Sequence, residues 1–364
     1  KQEKPQAEEA IINAFNSGTV IVNYMGHGNP DVWSHERVFK RTQDIPRLNN
    51  LRKLPLVYTS SCSIGLFFNP TGEGMAEELL RAEEKGAVAT VSATWLVYPD
   101  PNAALNFKVF DLLLMTDSLS IGEALFASKL LRQPNSNDRQ YVLFGDPVMK
   151  LGMPELEVKI TSVSPDTFSA LSLIEVKGEV RDFQDSVFTG YNGVAKIVAF
   201  DSQRKRIHTM PNGGKVYYDL PGLVIFKGDA EVTDGRFTAD FVVPKDISYG
   251  GNTGRISVYL SNSDQDGAGV LDSLVVRGSD TTVVDTIGPE ITLSFDDQTS
   301  FSQGETILPN SLLKLSLFDE HGINITGEVG HGIVLVVDQD LEHQIDLSAD
   351  FEYQPGSYQS GGLV

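Results

Sequence analysis

Along roughly the first 150 residues, two hydrophobic periods alternate. Glu8-Ala-Ile-Ile-Asn-Ala-Phe places apolar side chains at helical spacing, and a β-branched run follows over 19–24. Further strands are predicted over 54–59 and 87–92. An amphipathic helix lies between them at 74–84, stopping at Gly86. Helical patterns return over 102–115 and 121–131, and Tyr141-Val-Leu-Phe then runs into Gly145-Asp146-Pro147, read as a structural turn. Strands alternating with helices predict a parallel sheet covered on both faces. In such sheets the ligand site lies beyond the carboxyl ends of the strands.

After Gly152-Met153-Pro154 the helical period disappears. Short alternating strands are predicted at 173–180, 194–200, 222–226, 236–243 and 255–260. Turn residues such as Asn212-Gly213-Gly214, Thr233-Asp234-Gly235 and Gly250-Gly251-Asn252 separate them. The texture is that of an Ig-like β-sandwich. A second boundary falls near Thr286-Ile-Gly-Pro289, with more strands at 291–295, 312–318 and 333–337. The expected organisation is therefore multi-domain: α/β over 1–152, a β-sandwich over 153–285, and a partial β domain over 286–364 that does not complete a barrel or sandwich alone. Both ends read as cut, so the chain is expected to be a piece of a longer protein.

Composition narrows the partners. The formal net charge of −20 leaves no basic stripe for nucleic acid and disfavours unaided binding to an anionic membrane surface. No run approaches the 18–20 apolar residues of a membrane helix. With one cysteine in 364 residues, no internal disulfide can form. That usage fits a reducing cytoplasm or a large extracellular bacterial protein alike. No His-Glu-x-x-His, phosphate loop or paired cysteines occur, so no metal and no cofactor are expected. Asp264-Gln-Asp266-Gly267 looks like half a calcium loop but lacks the distal glutamate, and reads as a turn.

Candidate chemistry sits at two strand ends. One run ends in Gly26-His27-Gly28, the other in Ser60-Ser61-Cys62-Ser-Ile-Gly65. A lone thiol beside small residues, with a histidine at the end of another strand, is what a cysteine nucleophile and its base require. Cys62 could equally be a buried apolar thiol, and His27 a hydrogen-bonded structural histidine. His35, after Trp33-Ser34, is the main rival for the base. His208, His321, His331 and His343 lie in the β region, far from any nucleophile in sequence.

These residues carry a family resemblance. Gly26-His27-Gly28 with Trp33 downstream, Ser60-Ser61-Cys62 followed by Gly65 and Phe67, the Ala76-Glu-Glu-Leu-Leu-Arg-Ala helix, the Gly86-Ala-Val-Ala-Thr-Val-Ser strand and Gly145-Asp146-Pro147 occur in one order. Together they resemble the C-terminal half of the gingipain-type cysteine peptidase domain, which has a caspase-like fold. The resemblance implies Cys62 as nucleophile, His27 as base and then acid, and the N–H groups of Gly28 and Cys62 as oxyanion donors. It places Tyr98 where the family carries an aromatic lid of the substrate pocket, with Trp95 beside it as a second pocket residue. It also implies that a third, acidic catalytic residue and much of the pocket lie upstream of Lys1, so that residues 1–364 alone would be inactive.

The β-rich region, including Thr286-Ile-Gly-Pro-Glu-Ile and Phe318-Asp-Glu-His-Gly-Ile-Asn, is similar to that of the family's cell-surface sortases of type IX secretion. This implies a peptidase and transpeptidase on the extracellular face of the outer membrane, retained there by an outer-membrane β-barrel partner. It would cleave the C-terminal secretion signal from cargo proteins and join the new carboxyl end to anionic lipopolysaccharide. A secreted gingipain-like endopeptidase and an inactive surface scaffold or adhesin are the alternatives.

Overall fold

The computed structural model describes residues 3–70, 72–115, 119–182, 184–210, 213–296, 305–308, 310–326, 332–337, 339–341, 344–348 and 350–363. They fall into two compact units, Lys1–Met153 and Pro154–Val364.

The first unit is a four-stranded sheet with helices on both faces. Its strands are β1 (Ile21–Met25), β2 (Leu56–Ser60), β3 (Ala89–Ala93) and β4 (Tyr141–Phe144), hydrogen-bonded in that order. β1, β2 and β3 run parallel, and β4 is antiparallel to β3. The antiparallel strand departs from the expected all-parallel sheet, and the helices explain it. Two long helices, α3 (Pro99–Met115) and α4 (Ile121–Leu130), separate β3 from β4 where a parallel crossover would use one. The second helix returns the chain to the end of the sheet it had left, where Thr94 N–H donates to Gln140 O.

β2 and β3 are buried along their whole length, as strands covered on both faces must be. Alternation divides their side chains. Leu56, Tyr58 and Val91 pack with Leu105, Val109, Ile121 and Leu125. Val57 packs on the opposite face with Phe15 of α1 (Pro5–Ser17) and with Met75 and Leu79 of α2 (Met75–Arg81).

The second unit is built on one continuous sheet. Its strands are β5 (Leu156–Ser164), β6 (Thr167–Ala170), β7 (Leu173–Arg181), β8 (Gly193–Phe200), β11 (Val224–Val232), β12 (Arg236–Val242), β13 (Thr253–Ser261) and β14 (Asp266–Ser279). Between β8 and β11, β9 (Arg204–Thr209) and β10 (Lys215–Leu220) pair only with each other. The main order is β11-β8-β13-β14-β5-β7-β12, with β6 beside β14. The terminal strands β11 and β12 meet through the Thr233-Asp234-Gly235 turn and a single bridge, Thr233 to Arg236, so the sheet nearly closes into a barrel. The sequence pattern anticipates two facing sheets. The 14-residue β14 joins them, because it pairs with β13 on one side and with β5 and β6 on the other.

β15 (Glu290–Phe295), β16 (Leu313–Phe318), β17 (Glu352–Tyr353) and β18 (Ser360–Leu363) form a second sheet, ordered β15-β16-β18-β17. Of the strand expected over 333–337, Val334–Leu335 is observed. Leu315, Leu317, Phe351 and Tyr353 belong to the same apolar core as Phe226 and Phe241 of the main sheet. The sequence break near 285/286 thus marks a change of sheet within one packed core.

Candidate active site

The two reactive side chains sit at matching places on neighbouring strands. β1 and β2 are parallel and in register from Ile21–Leu56 to Met25–Ser60. One residue on, Gly26 N–H donates to Ser60 O at 3.2 Å. His27 and Cys62 each lie two residues past the last register pair, on strands spaced about 4.8 Å apart. That is the carboxyl edge of the sheet, where the α/β pattern locates a ligand site.

The His27 loop is held from several sides. Its carbonyl accepts Ser34 N–H at 2.7 Å and Tyr24 Oη–H at 2.6 Å. Gly28-Asn29 pairs with Val32-Trp33 in a small hairpin. Trp33 anchors it, buried and stacked at 4.7 Å on Tyr24. Burial pushes the Tyr24 phenol up to about 12. Since His27–Ser34 is a hydrogen-bonded rung, alternation makes Gly28–Trp33 a non-bonded one. The hairpin ladder therefore does not use the Gly28 N–H. The His35 ring stacks on His27 with centroids 5.1 Å apart and planes 11° apart, and both histidines are exposed. The rival base lies against the expected one.

Cys62 opens a tight turn and is half-buried. Ser63 follows in the left-handed region at φ 54°, costly for a side chain with a Cβ. The turn is strapped to the end of β3 and the segment after it: Gly65 N–H donates to Ala93 O at 3.0 Å and Ser63 N–H to Trp95 O at 3.1 Å. The Cys62 thiol donates to Val97 O at 3.5 Å. Ser61 Oγ is buried without a hydrogen-bond partner among the described residues, while the buried Ser60 hydroxyl faces the Tyr141 phenol. Burial drives the Tyr141 phenol well above its usual range, and the Cys62 sulfur pushes it in the same direction.

Trp95 and Tyr98 are both exposed, at 50% and 72%. Tyr98 is fixed by its backbone, whose N–H donates to Asn137 Oδ1 at 2.6 Å. Phe68, outside the residues that carry the family resemblance, lies 5.8 Å from Trp95, and Phe67 bridges Phe68 and Phe144. The signal was present: Leu66-Phe67-Phe68 ahead of Asn69-Pro70 is an apolar run in a loop, where it cannot be core. An apolar platform thus adjoins the thiol.

Residues 1–152 match the family model described as peptidase family C25. This stretch is a C25 peptidase region. Among curated proteins it is similar to gingipain R2 and gingipain R1 of Porphyromonas gingivalis, each 36% identical over 90 residues, or 23% of this chain. The match covers 12% and 9% of those two relatives, so the chain spans a small part of their length. Among solved structures, dimeric latent PorU from P. gingivalis aligns at 27% identity and a TM-score of 0.39, covering 66% of this chain and 24% of PorU. The Arg-specific cysteine proteinase gingipain R aligns at 21% identity and a TM-score of 0.37, covering 75% of this chain and 56% of its own.

The remaining sequence candidates lie outside the C25 region. His208 is on the β9–β10 hairpin, while His331 and His343 fall outside the described residues. Asp266 is occupied structurally, accepting Glu155 N–H and Tyr259 Oη–H, and Asn262 caps the turn before it. Asp285, Asp319 and His321 bring ligand atoms within 4.8 Å of one another, but Lys245 Nζ already pairs with Asp285 at 3.0 Å. That trio borders a cavity of about 790 Å³ in the second unit, lined mainly by aliphatic Leu, Ile and Val side chains and remote in sequence from Cys62.

Proposed function

We propose that the C25 region supplies the nucleophile and base of a cysteine peptidase that acts as a cell-surface sortase of the PorU kind. The observation that carries the reading is the shared register of β1 and β2, with His27 and Cys62 each two residues past Met25–Ser60. Cys62 thiolate attacks the scissile carbonyl, forming a C–S bond as the carbonyl oxygen gains charge. The Gly28 and Cys62 N–H groups are the proposed donors to that oxygen. His27 takes the thiol proton and delivers it to the leaving amine. The thioester then passes its acyl group to water or to an acceptor amine, which restores the thiol. Trp95 and Tyr98 form a wall of the substrate pocket.

In this reading the substrates are cargo proteins with a C-terminal secretion signal, and anionic lipopolysaccharide is the acceptor. The protein works on the extracellular face of the outer membrane beside a β-barrel partner of the same secretion system. The similarity to gingipains R1 and R2 supports a second reading, a secreted endopeptidase.

Cys62→Ala in the full-length protein, expressed in cells, tests both. Loss of signal cleavage together with loss of the cargo–lipopolysaccharide conjugate supports the sortase. Loss of proteolysis where no conjugate ever forms supports the endopeptidase. Undiminished processing by the alanine variant would leave only a non-catalytic scaffold.

A further inference from the structure

The net charge of −20 conceals a local reversal. The β9–β10 hairpin, residues 204–220, carries Arg204, Lys205, Arg206 and Lys215 against the single carboxylate of Asp219, a local net charge of +3. Its six rungs run from Arg204–Leu220 to Thr209–Lys215. Apart from the base residues Arg204 and Leu220, every described side chain from 205 to 219 is exposed, on both faces of the ribbon. A two-stranded ribbon exposed on both faces packs against nothing, which in a folded protein calls for a use. Lys205, Arg206 and Lys215 have no ion-pair partner among the described residues.

Apolar groups are interleaved with the cations. On one face Ile207 and Tyr217 are cross-strand partners, at 56% and 70% exposure, with Lys215 at the tip. On the other, Arg206 pairs with Tyr218 and His208 with Val216. Exposed tyrosine and aliphatic groups among cations are the composition of a membrane-interface contact, where rings and aliphatic chains enter the headgroup layer and ammonium and guanidinium groups meet phosphate.

We propose that the hairpin 204–220 is a contact site for an anionic lipid surface. The acidity of the remaining chain does not prevent this. Six rungs at about 3.4 Å each make a ribbon roughly 20 Å long. The physiological Debye length is about 8 Å, so carboxylates farther than that from the tip are largely screened from headgroups it engages. A nucleic acid or another soluble polyanion would meet the cations but offer no apolar layer to Ile207 and Val216. An acidic protein patch would satisfy the cations but leave Ile207, Val216 and Tyr217 without a purpose.

The proposal is independent of the peptidase reading, so Cys62→Ala should bind as the parent does. The test is co-sedimentation of the full chain with vesicles of phosphatidylglycerol and phosphatidylcholine, against phosphatidylcholine alone. The parent should bind the anionic vesicles and release at 0.5 M salt, a test concentration well above the physiological range. Removing two cations in Arg206→Ala/Lys215→Ala should weaken binding by roughly thirtyfold, about fivefold for each. Ile207→Ser/Tyr217→Ser should weaken it with the charges intact. The charge-preserving pair Arg206→Lys/Lys215→Arg should bind like the parent, which separates charge from any disturbance of the hairpin. Equal binding to neutral vesicles, no effect of either loss variant, or binding to soluble polyglutamate without binding to vesicles would each overturn the proposal.

Discussion

Gly28 stands against the hydroxyl of Ser61: a Cβ on the glycine would lie 2.5 Å from Ser61 Oγ and 3.0 Å from Ile64 Cδ1. The histidine loop and the cysteine turn therefore touch through the residues flanking their reactive groups. Gly28→Ala should push these apart, at a cost of about 1–3 kcal/mol from overpacking. Displacements of about 1 Å cost roughly 10²-fold in rate, and a loss of that order in kcat/KM is expected for the full-length protein. Ser61→Ala removes the nearest obstructing atom, so the double variant should recover part of the loss. A double-mutant cycle reads this directly, and strict additivity would mean that the two loops are not coupled here.

The stacked pair His27 and His35 can be assigned by comparing two variants. His27→Ala should lower kcat by about 10²- to 10⁴-fold, the usual range for removing a general base. His35→Ala removes only a stacking partner at 5.1 Å and should cost less than about tenfold. The reverse order of losses, measured by single-turnover cleavage of a peptide, would make His35 the base.

The apolar platform beside the thiol makes a prediction about substrate. Trp95→Ala and Phe68→Ala should each raise KM for a substrate with a bulky apolar side chain by about tenfold, the value of burying one or two methylene-sized groups. Because the two rings are 5.8 Å apart, their effects should not add. Unchanged KM in both variants would remove the platform from the pocket.

A half-buried ion pair contributes to how the first unit responds to acid. Lys40 Nζ donates to Glu8 Oε2 at 2.6 Å, with the side chains 11% and 15% exposed. The hydrogen bond from Lys40 holds the Glu8 carboxyl below its usual range, against the upward push of burial. A depressed carboxylate stabilises the fold above its unfolded pKa and stops doing so as the pH falls through the folded value. Glu8→Gln should thus cost about 1–3 kcal/mol at pH 7. The gap to the parent should close as the pH drops below 4.5. Both tryptophans of the chain, Trp33 and Trp95, lie in the first unit, so urea titrations followed by tryptophan fluorescence report on that unit alone.

Much of the site can be read from the sequence because it depends on local patterns. β1 and β2 are β-branched or apolar runs that end abruptly in small and polar residues, and the reactive side chains follow at once. What escapes is set by distant partners. The reversed direction of β4 depends on counting α3 and α4 as a hairpin of helices. The contact of His35 with His27 arises from the turn at Ser34, and that of Phe68 with Trp95 from strapping the Cys62 turn to the segment after β3. The continuous sheet of the second unit rests on β14 being long enough to serve two sets of partners. The basic hairpin is lost in an overall charge of the opposite sign, since composition averages what topology separates.

The chain has one sulfhydryl, partly open to solvent at the sheet edge. Every electrophile that reacts with thiols therefore reports a single address. One equivalent of reagent per chain titrates the accessible Cys62 thiol. Within residues 1–364, a fluorophore or cross-linker placed there needs no cysteine-free background. The feature that defines the chemistry also makes residues 1–364 straightforward to quantify, molecule by molecule.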